Sequence, residues 1–509
     1  MESQFYTNVL STIPSMLVPT QKYSVHQTNK SNYNQELSTQ SILYQPPTYN
    51  YYINDVGYTS HTYSYGNTIQ TCVSEDLITS PFDYIYVKNP LLFRKQNLIH
   101  IPAKVEYSLR RVSKKMLKNV NEDIEVAIEL CLLFSSLLTA TYFSWVNGEN
   151  EEGWKSLKSD YLRELFKVEL NTYKAIREVL EIGLKSGNII ECDYESAKGV
   201  KCYGHRLGEN YLGKGVDKYE LKTELVKELW KKNQERIYNQ SVDNIICSNL
   251  IEFYPSLKLP TYEEAYSRSK ELVKNGYTTK KGKQLKSFGK HSKSYYNDYT
   301  KYSFIEDGLK IYQYLTDEGL NIPSVGSEHS GGRIVDSLTL MPGYIRKMIT
   351  INGEPLVECD FVCLHPNIAI SIYGGDAEYL THQKIAEELS IELKEVKVEH
   401  LSFFNKHPKV MEKSPLYQYY MKNEPEMMNC LINEKYQNKR KYKITSQIMF
   451  EKEVSIMTDV ILQLSKERIR VGYVYDALLC HPNDASRVKE VMDEIVLMHG
   501  VKTIAKIGT

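Results

Sequence analysis

Two short apolar runs constrain this chain more than any other feature. Leu356-Val357-Glu358-Cys359-Asp360-Phe361 reads as a strand that closes on an aspartate. Arg470-Val471-Gly472-Tyr473-Val474-Tyr475-Asp476-Ala477-Leu478-Leu479 is a β-rich run with an aspartate at a hairpin-like centre. A carboxylate among apolar neighbours is costly unless its charge is compensated. A divalent cation shared by both carboxylates supplies that compensation, so strands 116 positions apart in the chain are expected to lie side by side. The expected cofactors are two Mg²⁺ ions, with Mn²⁺ able to substitute. At ~3.5–4 Å separation they would clamp the attacking and leaving oxygens of a phosphoryl transfer.

The segment between the aspartates carries a matching set of residues. After the first run come Leu364-His365-Pro366 and an apolar helix from Asn367 to Ile372. A further helix presents Lys394, Lys397, His400, Leu401, Phe404 and Asn405. Positions 397, 401 and 405 are four apart and share a face, so a lysine could hold a triphosphate while residues one and two turns on pack against a base. A helix from Ile444 to Leu464 carries Gln447 and Glu451 at i, i+4 and leads into the second aspartate run.

In this order, residues 320–509 resemble the palm and fingers of family A DNA polymerases and of their relatives, the single-subunit phage-type and mitochondrial RNA polymerases. They also resemble replicases of phages and mobile elements, in which Leu-His-Pro follows the first aspartate. The resemblance implies an antiparallel palm sheet with small helical fingers. It implies Asp360 and Asp476 as catalytic residues, and Asp360, Asp476 and the Phe361 carbonyl as metal ligands. Lys394, Lys397, Leu401 and Asn405 would bind nucleotide. His365 takes the place of the side chain that screens the sugar 2′-hydroxyl. Arg333 and Arg346, with Gln447 and Glu451, would grip primer and template. The chain departs from the family at four points. Leu393 stands where an arginine is usual, Asn405 where a tyrosine is usual, Tyr475 replaces the histidine before the second aspartate, and Ala477 replaces the acid after it. Ala477 also argues against a reverse transcriptase.

Upstream, Lys158 to Phe166 and a second helix capped by Asn171 precede two strands, Asn188 to Asp193 and Lys201 to Leu207, joined near Lys198-Gly199. Helix, helix, hairpin is the order of a winged helix, with Lys174, Arg177, Lys198 and Lys201 as expected DNA contacts. Between Lys270 and Lys301 lie nine lysines, with Tyr277, Phe288, Tyr295, Tyr296 and Tyr299 among them. Lysines neutralise phosphates and rings stack on bases, so this strip suits nucleic acid. A solvated loop has the same composition.

Composition excludes several classes. The 63 basic and 63 acidic side chains cancel, so basic surface must be local. Nine cysteines without a CxxC pair argue for reduced thiols and against a zinc ribbon. Leu130 to Val146 is 17 residues without a charge, short of the ~20 needed to span a bilayer, and reads as a buried helix within a long helix from Asn121 to Val146. No signal peptide is visible at the polar start, so a cytoplasmic, membrane-free protein is expected. Tyr outnumbers Phe 41 to 13, and ten of those tyrosines fall within residues 1–75.

The expected fold is α+β in four parts. Residues 1–100 form an irregular arm, 101–215 a helical and winged-helix DNA-binding domain, 216–319 a helical connector or thumb-like region, and 320–509 the palm and fingers. The expected function is template-directed nucleotidyl transfer on DNA with nucleoside triphosphates, most simply by a phage or mobile-element DNA polymerase. RNA as template or product stays open. So do a replication initiator with an inactive palm and a primase-like nucleotidyltransferase.

Overall fold

The computed structural model describes residues 97–139, 153–167, 170–181, 187–194, 202–212, 215–280, 282–288, 301–317, 319–326, 330–438 and 441–508. The Tyr-rich arm up to residue 96 lies outside them, as do Lys198, Lys201 and residues 140–152. The described residues belong to one compact unit containing two apolar cores.

The first core is built on the helix Ile124–Ser136. It starts at Ile124 rather than Asn121, because the Asp123 carboxylate accepts the Glu125 N–H at 2.8 Å and caps it there. It ends at Ser136, short of the expected Val146, and Val126 to Ser135 are buried, as the uncharged run predicts from Leu130 on. Glu129 is also fully buried, at the edge of that run. It accepts hydrogen bonds from the Tyr219 hydroxyl at 3.0 Å and from the Lys222 and Thr223 N–H groups at 2.6 and 3.0 Å. The strand Leu98–Pro102 pairs antiparallel with Val216–Glu220, so both ends of this region are tied to the same helix.

Within it, the strand Lys155–Ser156 precedes the helices Ser159–Phe166 and Leu170–Glu181, and the strands Ile190–Cys192 and Gly204–Leu207 follow. The three strands form one antiparallel sheet with Gly204–Leu207 in the middle. Leu162, Leu165, Tyr173, Ile176, Val179 and Leu180 are buried, as their helical spacing predicts. The expected cap at Asn171 is not one, since that residue lies inside the helix. Both strands are shorter than expected; at their end the Asp193 N–H donates to the Gly204 carbonyl at 3.1 Å and its side chain accepts the Gly204 N–H at 2.9 Å.

The second core surrounds a four-stranded antiparallel sheet. Its order is Gly472–Val474, Ala477–Cys480, Val357–Phe361, Ala505–Ile507. Cys359 and Phe361 are buried on one face, while Glu358 and Asp360 stay half-exposed on the other, the period-two pattern of a strand covered on one side. The long helix Ile444–Lys466 packs against Ile245–Phe253, Leu364–Tyr373 and Ala485–Met498. Asn249 acts as a strand partner for Val471: its amide donates to the carbonyl at 2.6 Å and its oxygen accepts the N–H at 3.3 Å. Residues on both sides of position 320 share this core, among them Leu309, Leu315, Leu338 and Cys359. Five helices between His382 and Gln437 cover one end. The eight described cysteines are free thiols, and no described helix is long and apolar enough to cross a membrane.

Glu129 gives this fold a direct test. Glu129→Ala strands several buried donors at once, and each unpaired donor costs ~1–3 kcal/mol. The variant should lose about 3 kcal/mol or more of unfolding free energy by denaturant titration, and Glu129→Gln clearly less.

Candidate active site

Strand pairing brings the two aspartates together. Asp360 lies opposite Ala477 in the antiparallel register, and the Phe361 N–H donates to the Asp476 carbonyl at 3.3 Å. Asp476 occupies the turn between its two strands, beside Tyr475, whose φ of +59° is in the left-handed region. A tyrosine adopts that conformation only where its surroundings hold it there.

Burial first, then the Asp476 charge, pushes the Asp360 carboxyl up to about 7, against the opposing pull of Lys280 and Lys506. Asp476 is also raised, by burial and then by Glu453. Two enclosed carboxylates resist joint ionisation, and a shared cation removes that conflict. Among the described residues no group of three or more His, Cys, Asp or Glu could hold a metal ion by itself. That donor set suits Mg²⁺, which is commonly held by one or two carboxylates completed by substrate phosphates and water.

Beside the aspartates stands a buried ionic cluster. Glu453, from the helix Ile444–Lys466, has no exposed side-chain surface. Arg333 grips it with both arms of its guanidinium, Nε at 2.8 Å from Oε1 and NH2 on Oε2. His365 Nε2 lies 2.7 Å from Oε2. Burial alone would raise Glu453, but the His365 hydrogen bond and the Arg333 charge hold it below the usual carboxylate value. An ionised Glu453 is purely an acceptor, which assigns the proton to His365 Nε2. The Arg333 guanidinium also lies 3.7 Å from the Phe450 ring centroid and 4.8 Å from that of Tyr475. Gly331, at φ +62°, allows this approach: a Cβ there would sit 2.5 Å from the Phe450 Cβ and 2.6 Å from the Glu451 nitrogen.

The expected nucleotide-binding face is only partly assembled. Lys394, Lys397 and Leu401 are exposed on the helix Leu393–Phe403, with Val396 and Phe403 buried on its other side. Asn405 lies in the turn beyond that helix, so it does not extend the face as expected. Lys506 is the register partner of Asp360, and its charge acts on both Asp360 and His382. Burial, then Lys397 and Lys506, lowers His382 to about 4, so Lys397 and Lys506 border the same ring. Lys280 pairs with Glu358 at 3.2 Å, and a Cβ at Gly282 would lie 3.8 Å from the Lys394 Cε. Cations from three separate parts of the chain thus gather around the aspartates.

The remaining expected residues are scattered in role. Gln447 is buried and donates to the exposed Glu451 at 2.8 Å. Arg346 donates to the carbonyls of Leu338 at 2.8 Å and Met341 at 3.5 Å. Far from the sheet, Lys174 is exposed on its helix. Arg177 is held internally, 3.2 Å from Glu181 and over the rings of Tyr173, Tyr194 and Tyr203 at 5.0–5.9 Å.

Glu453, Lys506 and Glu358 were not singled out by pattern. Glu453 did leave a signal, an acid within the apolar series Met449, Ile456, Met457 and Val460. Lys506 left none, because its place depends on pairing between distant strands. No model of a known protein family matches the chain, and a comparison with curated proteins likewise finds no match.

A pH dependence follows from Asp360. Its folded pKa lies above the unfolded value of 3.8, so the folded state binds more protons between about pH 4 and 7. Stability without metal should therefore fall as pH rises through that window. Asp360→Asn should flatten the fall. Mg²⁺ at pH 8 should raise the melting temperature of the wild type by more than that of the variant, read by thermal melts across pH.

Proposed function

We propose that this protein is a template-directed nucleic-acid polymerase of the palm-and-fingers kind, with the region 153–212 acting as a winged-helix DNA-binding module. The observation that carries the reading is the register that sets Asp360 beside the Asp476 turn on the open face of one antiparallel sheet. The helix–strand–helix–helix–hairpin order of the N-terminal core supports the winged-helix part.

Mg²⁺ held by Asp360, Asp476 and the Phe361 carbonyl would supply Lewis-acid activation of the attacking 3′-hydroxyl and charge relief at the leaving pyrophosphate. The protein's own part is positioning and electrostatics. Lys397, Lys394 and Lys506 offer mobile cations for a triphosphate. The Arg333–Glu453–His365 cluster is rigid, since every member is held by at least two others or by aromatic rings. A pinned imidazole cannot swing aside for a 2′-hydroxyl, which favours deoxynucleotides and a DNA product.

Asp360→Ala and Asp476→Ala should each abolish Mg²⁺-dependent incorporation of nucleotides on a primed template, with folding retained. Lys397→Ala should raise the KM for nucleotide and lower kcat while primer-template affinity is kept. Substantial extension by either aspartate variant rejects the reading. DNA binding by a wild type that incorporates neither nucleotide type favours the initiator instead.

Sugar choice has its own test. His365→Ala should gain ribonucleotide incorporation and keep its deoxynucleotide rate, measured as the ratio of kcat/KM values. Loss of ribonucleotide use would instead show that the imidazole reads the hydroxyl.

A further inference from the structure

The strand register leaves two residues for the turn that carries Asp476. Val474 pairs with Ala477, so Tyr475 and Asp476 form a two-residue hairpin loop. Of the two, Tyr475 alone has a positive φ, at +59°. Positive φ at the first loop position only is the mark of a type II′ turn, which normally takes glycine there. A tyrosine in that place carries backbone strain, and such strain persists only where neighbours impose it.

Two contacts to the ring impose it. The Arg333 guanidinium lies 4.8 Å from the centroid of the Tyr475 ring, and the Tyr473 ring stands edge-on to it at 6.4 Å. Arg333 is itself immobilised: the Phe450 ring centroid is 3.7 Å away, and the fully buried Glu453 takes two of its nitrogens. A cation–π contact strengthens as the pair is withdrawn from water, and the Arg333 side chain is only 18% exposed. Glu453 stands on the long helix Ile444–Lys466. A fixed point in the core is therefore linked, through Arg333, to the ring of the residue before Asp476.

We infer that Arg333 and Glu453 are positioning residues: through the Tyr475 ring they hold the strained turn that sets the Asp476 carboxylate beside Asp360. This role rests on the reading of Asp360 and Asp476 as metal ligands. It assigns the Arg333 charge to the turn, where the family resemblance implied a grip on primer and template. Without the pair, a tyrosine at this position relaxes out of the left-handed region, and Asp476 turns with it. Strain of the usual size for such a residue corresponds to a ~5- to 150-fold shift between held and relaxed turns, and apparent metal affinity falls with the held fraction.

The test is Mn²⁺ binding by the full-length protein, followed by water-proton relaxation with no nucleotide or nucleic acid present. Asp360→Asn first identifies the signal that belongs to the aspartates. Arg333→Met/Glu453→Gln removes one positive and one negative charge together, so no buried charge is left unpaired and the field at Asp476 changes little. This double variant, its folding checked by the unfolding midpoint, should bind Mn²⁺ at least ~5-fold more weakly than wild type. Glycine takes the left-handed turn unaided, so in the Tyr475→Gly background the same double change should alter Mn²⁺ affinity less than ~2-fold. Should the double variant unfold, Arg333→Lys takes its place: it keeps the ion pair, loses the flat guanidinium beside the ring, and should weaken Mn²⁺ binding in the Tyr475 background alone. Unchanged affinity in the folded variants overturns the inference. So does an equal loss in both backgrounds, which is the signature of a general structural or electrostatic role. Mn²⁺ binding by the wild type that ignores Asp360→Asn overturns the metal reading itself, and the positioning role with it.

Discussion

The pairing of Val357–Phe361 with Ala477–Cys480 is the constraint on which the functional architecture depends. It joins segments more than a hundred residues apart and crowds two carboxylates at one point. Neighbouring elements then serve that point. The helix Ala485–Met498 packs on the closed face of the sheet, with Ile444–Lys466 packed against that helix, and the open face is left for Glu358, Asp360 and Lys506. An apolar sheet covered on one side offers its other face for chemistry at little cost to the core.

Crowded charge needs a stiff frame, and Glu453 provides it. A fully buried carboxylate is tolerable only with its oxygens satisfied, and Arg333 and His365 satisfy them. The cluster fastens the loop at Gly331–Arg333, the first turn of Leu364–Tyr373 and the helix Ile444–Lys466 to one another beside the Tyr475–Asp476 turn. Removing Arg333 would leave Glu453 as an uncompensated buried charge, whereas without His365 the Arg333–Glu453 pair remains. Lys280 is tied to Glu358, while Lys394, Lys397 and Lys506 stand exposed. The site therefore combines buried, fixed acids with exposed lysines.

The N-terminal core follows a different logic. Its helices and hairpin pack around an uncharged helix, and its polar interior is a structural one centred on Glu129. Arg177 shows how readily a cation on a promising helix is consumed internally. With Glu181 and three tyrosine rings around it, its charge serves the packing of helix against hairpin. Lys174, one turn earlier, keeps its charge in solvent.

Local pattern was enough for the mixed α+β character, the buried helix at Ile124–Ser136, the long helix at Ile444–Lys466 and the strand nature of both aspartate runs. Hydrophobic periodicity and the cost of a charge among apolar residues are properties of neighbouring residues, so they are written in the chain itself. Helix starts were less legible, because a cap such as Asp123 competes with its neighbours and only the packed structure selects it. Tertiary structure alone decided that Glu453 would anchor Arg333 and His365, and that Lys506 would stand beside Asp360. Each depends on register or packing between segments far apart in sequence, where a lysine or glutamate carries no mark of the neighbour it will meet. Asp360 and Asp476 could be found from either side, because burying a carboxylate in a strand is a local anomaly with a long-range remedy.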